Sequence, residues 1–403
     1  MWKVRFPLQS AAFGRCALAA ALLLALQSGC SIDREPTRTE PARWQRVERL
    51  VEEFFEAQAC PSLTVGVVHG DELAYSRAMG VADKSTGRKA TIDTIYEIGS
   101  VGKVLTTSVL AILDDRGQVR IDDTVDKWLP DGVSAPAHPS GGPPMSLGHL
   151  ATHTSGLPGL PVNVSEFPTL QWRGYSAQRL YDGLSATRLL GPPGTDLVYS
   201  SLGSGLLGHL MARASGTPYA RLVEDELLRP LGMSDTVLHL REEQRSRYAL
   251  GYETPESSEE APVWEYGVLA GCGAHRSTVR DLTKYLAAQW GPVELDGIPF
   301  TERALATLHS TRWTSEDGQT AIALGLFVTQ EPEVGTILGH RGRTAGHVAF
   351  LAFVPERKLG VILLANLGGR EVNVRQAELG LEILKEAVAA LEADPSDAVE
   401  LSG

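Results

Sequence analysis

Near each end of the chain, two short apolar runs are joined by a turn and lie beside a helical repeat. At the amino end, Trp44, Val47, Val51, Phe54 and Phe55 recur at helical spacing, and Pro61 stops the helix. Leu63 to Val68 then reads as a strand, His69-Gly70-Asp71 as a turn and Glu72 to Met79 as a second strand. Towards the carboxyl end the order returns. Thr344 to Phe353 reads as a strand, Pro355 to Lys358 as a turn and Leu359 to Ala365 as another strand. A helix follows from about Glu371 to Leu391, with Val374, Leu381, Leu384, Val388 and Leu391 among its apolar positions. The repetition predicts an α+β fold in which both chain ends build one antiparallel β-sheet flanked by helices. The middle, about 101 to 290, is richer in helix and in Gly/Pro loops. It reads as a mostly helical insertion packed against that sheet.

At 43% hydrophobic over 403 residues the chain is not disordered, and 4 Cys cannot staple a chain this long. The 37 basic and 49 acidic side chains leave −12, which argues against nucleic-acid binding. Residues 1–29 read as a signal peptide. Lys3, Arg5 and Arg15 form a basic start with no acid, and the apolar run Cys16 to Leu26 follows. A bilayer-crossing helix takes about 20 apolar residues, so this run fits a signal sequence instead. Its end, Leu26-Gln-Ser-Gly-Cys30, resembles the lipobox of bacterial lipoproteins, although Gln27 stands where Leu is usual. The resemblance implies cleavage before Cys30 and acylation of it, and Ser31 implies retention at the outer membrane. A plain secretory signal is the alternative. Membrane contact is expected through the lipid anchor only, with residues 30–42 as a polar tether. Residues 43–392 are expected to form a single domain and 393–403 a disordered tail. Cys60 and Cys272 are left as the cysteines of the mature part, read as isolated thiols rather than a disulfide.

Several motifs fail. His149 and His153 have the spacing of zinc ligands on a helix, but Leu150 replaces the glutamate such a site needs, so both read as loop or packing histidines. Ile98 stands where a Gly-x-Ser-x-Gly elbow needs its first glycine, and no phosphate-binding Gly-x-x-x-x-Gly-Lys occurs. No metal or cofactor is implied. Ser100-Val-Gly-Lys103 is different. Val101, Val104, Leu105, Val109, Ile112 and Leu113 continue at helical spacing, so Ser100 opens a buried helix. Residues three apart share a face, which sets Lys103 beside the Ser100 hydroxyl. Burial disfavours the charged form of a lysine, so one placed there could take the serine proton. The alternative is a capping serine with a snorkelling lysine.

Downstream lie Gly191-Pro-Pro-Gly-Thr-Asp-Leu-Val-Tyr199-Ser-Ser201 and Leu338-Gly-His340-Arg-Gly342-Arg343-Thr-Ala-Gly346. With Ser100-x-x-Lys103 and His149-Leu-Ala-Thr-His-Thr-Ser-Gly-Leu157, they resemble the serine β-lactamase-like superfamily, in its class C β-lactamase, DD-peptidase and esterase branch. The resemblance implies Ser100 as nucleophile, Lys103 as its base and Tyr199 as a second acid/base. A phenol ordinarily titrates near pH 10 and needs nearby cations to serve near neutrality; Lys103 and a protonated His340 would supply them. It further implies that the His340-x-Gly342 strand lines the substrate and that the N–H groups of Ser100 and Arg343 form the oxyanion hole. Three departures stand out. Ser201 replaces the Asn of Tyr-x-Asn and offers one short hydroxyl in place of an amide. His340-Arg-Gly342 replaces Lys-Thr-Gly, and the charge of His340 is left open. Arg343 replaces a small residue and faces either the cleft or solvent.

The implied protein is a serine hydrolase acting through an acyl-enzyme on β-lactam or related amide and ester carbonyls. An envelope carboxylesterase or a D-alanyl or D-amino peptidase is the alternative within the fold. A non-catalytic acyl-binding envelope protein is the alternative of another class, though Ser100, Lys103 and Tyr199 are all present. Oligomeric state has no signature in the sequence.

Overall fold

The computed structural model of the protein describes residues 42–164, 172–291 and 300–393. The signal segment, Cys30 and the tail from residue 394 lie outside the described residues. The domain opens with a helix, Gln45–Gln58, that ends where Ala59 turns left-handed (φ 49°), so it stops before Pro61. β1 (Ser62–His69), β2 (Glu72–Asp83) and β3 (Arg88–Lys89) follow, then the short β4 (Tyr96–Glu97). β4 pairs across the chain with β5 (Arg276–Ser277). The carboxyl-terminal part adds β6 (Trp313–Thr314), β7 (Ala321–Ile322), β8 (Phe327–Glu331), β9 (Gly335–Arg343), β10 (Val348–Val354) and β11 (Leu359–Ala365). The last helix runs Arg370–Glu392.

Among the described residues the main sheet has nine strands in the order β3-β2-β1-β11-β10-β9-β8-β7-β6. The two chain ends meet at its centre, where Leu63 to His69 of β1 pair antiparallel with Ala365 to Leu359 of β11. The sheet built from both ends is therefore present. One boundary differs from expectation. Thr344 to His347 is a turn, closed by Thr344 N–H on the His347 carbonyl at 2.9 Å, and β10 begins at Val348.

Alternation along the central strands separates two cores. Val361 and Leu363 of β11 with Val348 and Phe350 of β10 pack under the terminal helices, against Val47, Val51, Ile383 and Leu384. Ile362, Leu364, Leu351 and Phe353 face the helical insertion, against Val104, Leu105, Val109 and Leu206. Each such aliphatic side chain, fully buried, contributes roughly 1.5–3 kcal/mol. The last helix lies so close to the sheet that a Cβ on Gly380 would stand 2.2 Å from the Phe350 ring.

One detail of this topology shapes the site. β8 pairs with Gly335 to Gly339 only, so His340 to Arg343 run beyond it with one edge uncovered by a strand. The 3-10 turn Gly99–Val101 that leads into the buried helix Gly102–Asp115 packs against that stretch.

Candidate active site

Two glycines bring Ser100 to β9. Gly99 has φ +47°, and a Cβ there would lie 2.7 Å from the Arg343 nitrogen. From the other side, a Cβ on Gly342 would fall 1.9 Å from the Ile98 oxygen and 3.1 Å from the Ser100 nitrogen. Side chains at either position would push the backbones apart. Glycine at both sets the Ser100 and Arg343 backbones side by side. A further clamp comes from β5, where the buried Arg276 holds buried Glu97 at 3.0 Å, three residues before Ser100.

Ser100 sits in a 3-10 turn, Gly99–Val101, that leads into the helix Gly102–Asp115. Lys103, 1% exposed, places Nζ 2.9 Å from Ser100 Oγ, as the three-residue spacing predicts. The same Nζ donates to the Cys272 carbonyl at 2.6 Å and stands 5.0 Å from the centroid of the Tyr199 ring. Serine, lysine and tyrosine therefore converge, although they come from two different helix starts. Tyr199 precedes the helix Ser201–Ser215, whose capping residue Ser200 accepts from Gly203 N–H at 2.9 Å and donates to the Pro158 carbonyl at 2.7 Å. Ser201 is the half-buried first residue of that helix, with its N–H on the Gly159 carbonyl at 3.0 Å.

Two imidazoles flank the Tyr199 ring, His153 at 4.3 Å and His340 at 6.0 Å between centroids. His340 Nδ1 lies 2.7 Å from the Arg341 carbonyl, which can only accept, so the ring proton is on Nδ1. Burial first, then the charge on Lys103, pushes His340 down to about 3. His340 is thus neutral near pH 7, and the expectation that it could act as a second cation beside Tyr199 is corrected. A neutral imidazole also cannot hold a substrate carboxylate by charge. The positive charge lies elsewhere, on half-buried Arg341 and exposed Arg343 of β9. Burial lowers both, Arg370 pushes in the same direction, and Tyr199 opposes it at Arg341. Guanidinium stays protonated regardless. Neither side chain has an acidic partner among the described residues.

The sequence profile of the beta-lactamase family matches residues 47–385. The chain belongs to the beta-lactamase family. Among its relatives are the D-alanyl-D-alanine-carboxypeptidase/endopeptidase AmpH of Escherichia coli K12 and a beta-lactamase of Pseudomonas fluorescens. The first is 27% identical over 79% of this chain and 82% of its own. The second is 27% identical over 80% of this chain and 93% of its own. A class C beta-lactamase from Rhodobacter sphaeroides superposes with a TM-score of 0.70 at 25% identity, covering 84% of this chain and 99% of that one. The fold is also that of a beta-lactamase/D-alanine carboxypeptidase from Yersinia pestis, with a TM-score of 0.71 at 24% identity over 85% and 98% of the two chains.

Within this beta-lactamase fold, sequence reasoning had set His149 and His153 aside together. For His149 that holds, since it caps a helix start through Ser146, its N–H on Ser146 Oγ and its Nδ1 accepting from Ser146 N–H, both at 3.2 Å. His153 is a packing histidine too, buried with its ring on that of Tyr199. Its place in the phrase Thr152-His-Thr-Ser-Gly156, one of the segments that carry the family resemblance, is the signal in the sequence that points to the site. Cys60 and Cys272 are free and buried, and burial pushes their thiols up to about 12 and about 11. Cys272 contributes to the site through its carbonyl oxygen.

Proposed function

We propose that this protein is a serine hydrolase that works through an acyl-enzyme. The observation that carries the reading is the buried Lys103 Nζ, 2.9 Å from Ser100 Oγ and anchored on the Cys272 carbonyl. In the attacking state a neutral amine keeps an N–H on that carbonyl and turns its lone pair to the serine O–H. Ser100 Oγ then attacks a carbonyl carbon whose oxygen is held by the Ser100 and Arg343 N–H groups. The proton passes through Lys103 and Tyr199 to the leaving group, and water later releases the acyl group from Ser100. A β-lactam, a D-alanyl peptide and an activated ester all fit this chemistry. The two arginines of β9 favour substrates with a carboxylate beside the scissile bond, the task a neutral His340 cannot perform. The decisive experiment is a hydrolysis screen of nitrocefin, acyl-D-Ala-D-Ala peptides and nitrophenyl esters, with mass spectrometry after a penicillin or a fluorophosphonate. No turnover and no adduct with either probe would sink the reading in favour of a binding protein.

Ser201 favours esters as the second reading, because it lacks the amide that would meet the acyl amide of a penicillin or peptide. Ser201→Asn is expected to add one hydrogen bond to such substrates, about 0.5–1.5 kcal/mol net. That is about two- to twelvefold in kcat/KM. Short esters without the amide are expected to be unaffected, and an equal change on both substrates would remove the argument.

We read Cys30 as the anchor of an exported lipoprotein of the outer membrane. Membrane fractionation is expected to find the wild type with the membranes and Cys30→Ser in the soluble envelope fraction. A wild type already soluble there overturns the anchor and leaves the plain secretory signal.

A further inference from the structure

We propose that His153 is a positioning residue that fixes the phenol of Tyr199 against Lys103. The inference rests on the acyl-enzyme reading of Ser100, Lys103 and Tyr199. Three contacts bracket the tyrosine. The His153 carbonyl accepts from Val198 N–H at 2.8 Å, one residue before it. The His153 Nδ1 accepts from Ser200 N–H at 3.2 Å, one residue after it. Between these two, the imidazole packs on the phenol ring with centroids 4.3 Å apart and planes 39° from parallel.

The rest of the neighbourhood leaves that role to His153. The Ser200 hydroxyl is committed to Gly203 N–H and the Pro158 carbonyl, so Nδ1 of His153 is what satisfies the buried Ser200 N–H. His153 sits at φ +58°, a conformation costly for most residues with a side chain and more accessible to His, Asn and Asp. It is 1% exposed, and burial followed by the charge on Lys103 holds it well below the ordinary histidine range. Nδ1 therefore stays an unprotonated acceptor, which puts the ring proton on Nε2. Loosening one of these contacts shifts the phenol relative to Ser100 Oγ, and a misplacement of about 1 Å can cost about a hundredfold in rate.

Two substitutions separate the acceptor from the ring. His153→Phe keeps an aromatic face but leaves Ser200 N–H buried without a partner. His153→Asn tolerates the positive φ and returns an acceptor near the Nδ1 position through Oδ1. The readout is fluorophosphonate labelling of Ser100, resolved into a maximal rate and a half-saturating probe concentration, with Tm recorded alongside. In His153→Phe the maximal rate is expected to fall by about ten- to a hundredfold with half-saturation unchanged. In His153→Asn most of that loss is expected to be recovered. Labelling of both variants at the wild-type rate overturns the inference, and so does an equal loss in both that follows Tm. Tyr199→Phe is run in parallel. If it labels like the wild type, or the wild type does not label at all, the underlying assignment of Tyr199 or Ser100 fails first and takes this inference with it. If Tyr199→Phe is slow while His153→Phe is not, only the role of His153 is lost.

Discussion

Ser100→Ala is expected to lower turnover by at least about 10⁴-fold and to abolish covalent labelling, with the fold intact. Knocking out the nucleophile of a serine enzyme costs up to about 10⁶-fold in kcat, and what remains comes from the oxyanion hole and binding. The substitution is mild for the structure. Ser100 is half-buried, and its backbone is held by Gly99 and Gly342 rather than by its own side chain. Lys103→Met, which preserves length and removes the amine, is expected to lose nearly as much, because residues that act as a unit are not additive. Its effect on stability differs. The Cys272 carbonyl loses its N–H donor in a buried place, so a fall in Tm accompanies the loss of rate. Turnover and thermal melts on the two variants make the check. Ser100→Ala with turnover near wild type would show that the hydroxyl beside Lys103 is not the nucleophile.

The segments that fold by local rules were legible. Leu359 to Ala365 has its predicted limits because Lys358, at φ +49°, closes the turn before it, and the preceding Pro355 starts that turn. Ser100 and Lys103 were legible because one helical turn joins them. β10 was misplaced at its start because both faces of the strand are buried. An unbroken apolar run carries no period to mark where pairing begins. β6 and β7 are two residues each and carry no pattern at all. The remaining parts of the site are long-range contacts. Cys272 O meets Lys103 across 169 residues and does so through a backbone atom, which no side-chain pattern reveals. His153 meets Ser200 across 47 residues. His340 lies beside Tyr199, but its charge is set by depth in the fold, which sequence does not display.

That depth makes the protein sensitive to acid. His153, His275 and His340 are each 1% exposed. Burial pushes His275 and His340 down to about 3, helped by Arg276 and Lys103 respectively, and holds His153 well below its usual range. In the unfolded chain each titrates near 6.5. Below that pH the unfolded chain binds protons that the folded chain refuses, so stability is complete above about 6.5 and falls as pH drops towards 3. Between pH 7 and 5.5 His275 and His340 each remove about 1 kcal/mol, and His153 acts in the same direction. His209 and His309, both pushed down to about 4 by burial, act in the same direction. Paired carboxylates such as Asp93 and Asp235 add their part only nearer their own lower range. Against a total stability of about 5–15 kcal/mol the loss is large, and cooperative unfolding is expected between about pH 5 and 3. His275 offers the cleanest test. Among the described residues neither of its ring nitrogens has a hydrogen-bond partner, and the ring lies edge-on to Tyr219 at 5.9 Å, behind Gly102. His275→Leu removes the titration without breaking a hydrogen bond. Unfolding free energies from urea titrations at pH 7 and 5.5 are expected to differ by about 1 kcal/mol less in the variant than in the wild type. A wild type equally stable at both pH values would mean these histidines take up protons in the folded state, and with them His340 would regain the charge denied to it beside Tyr199.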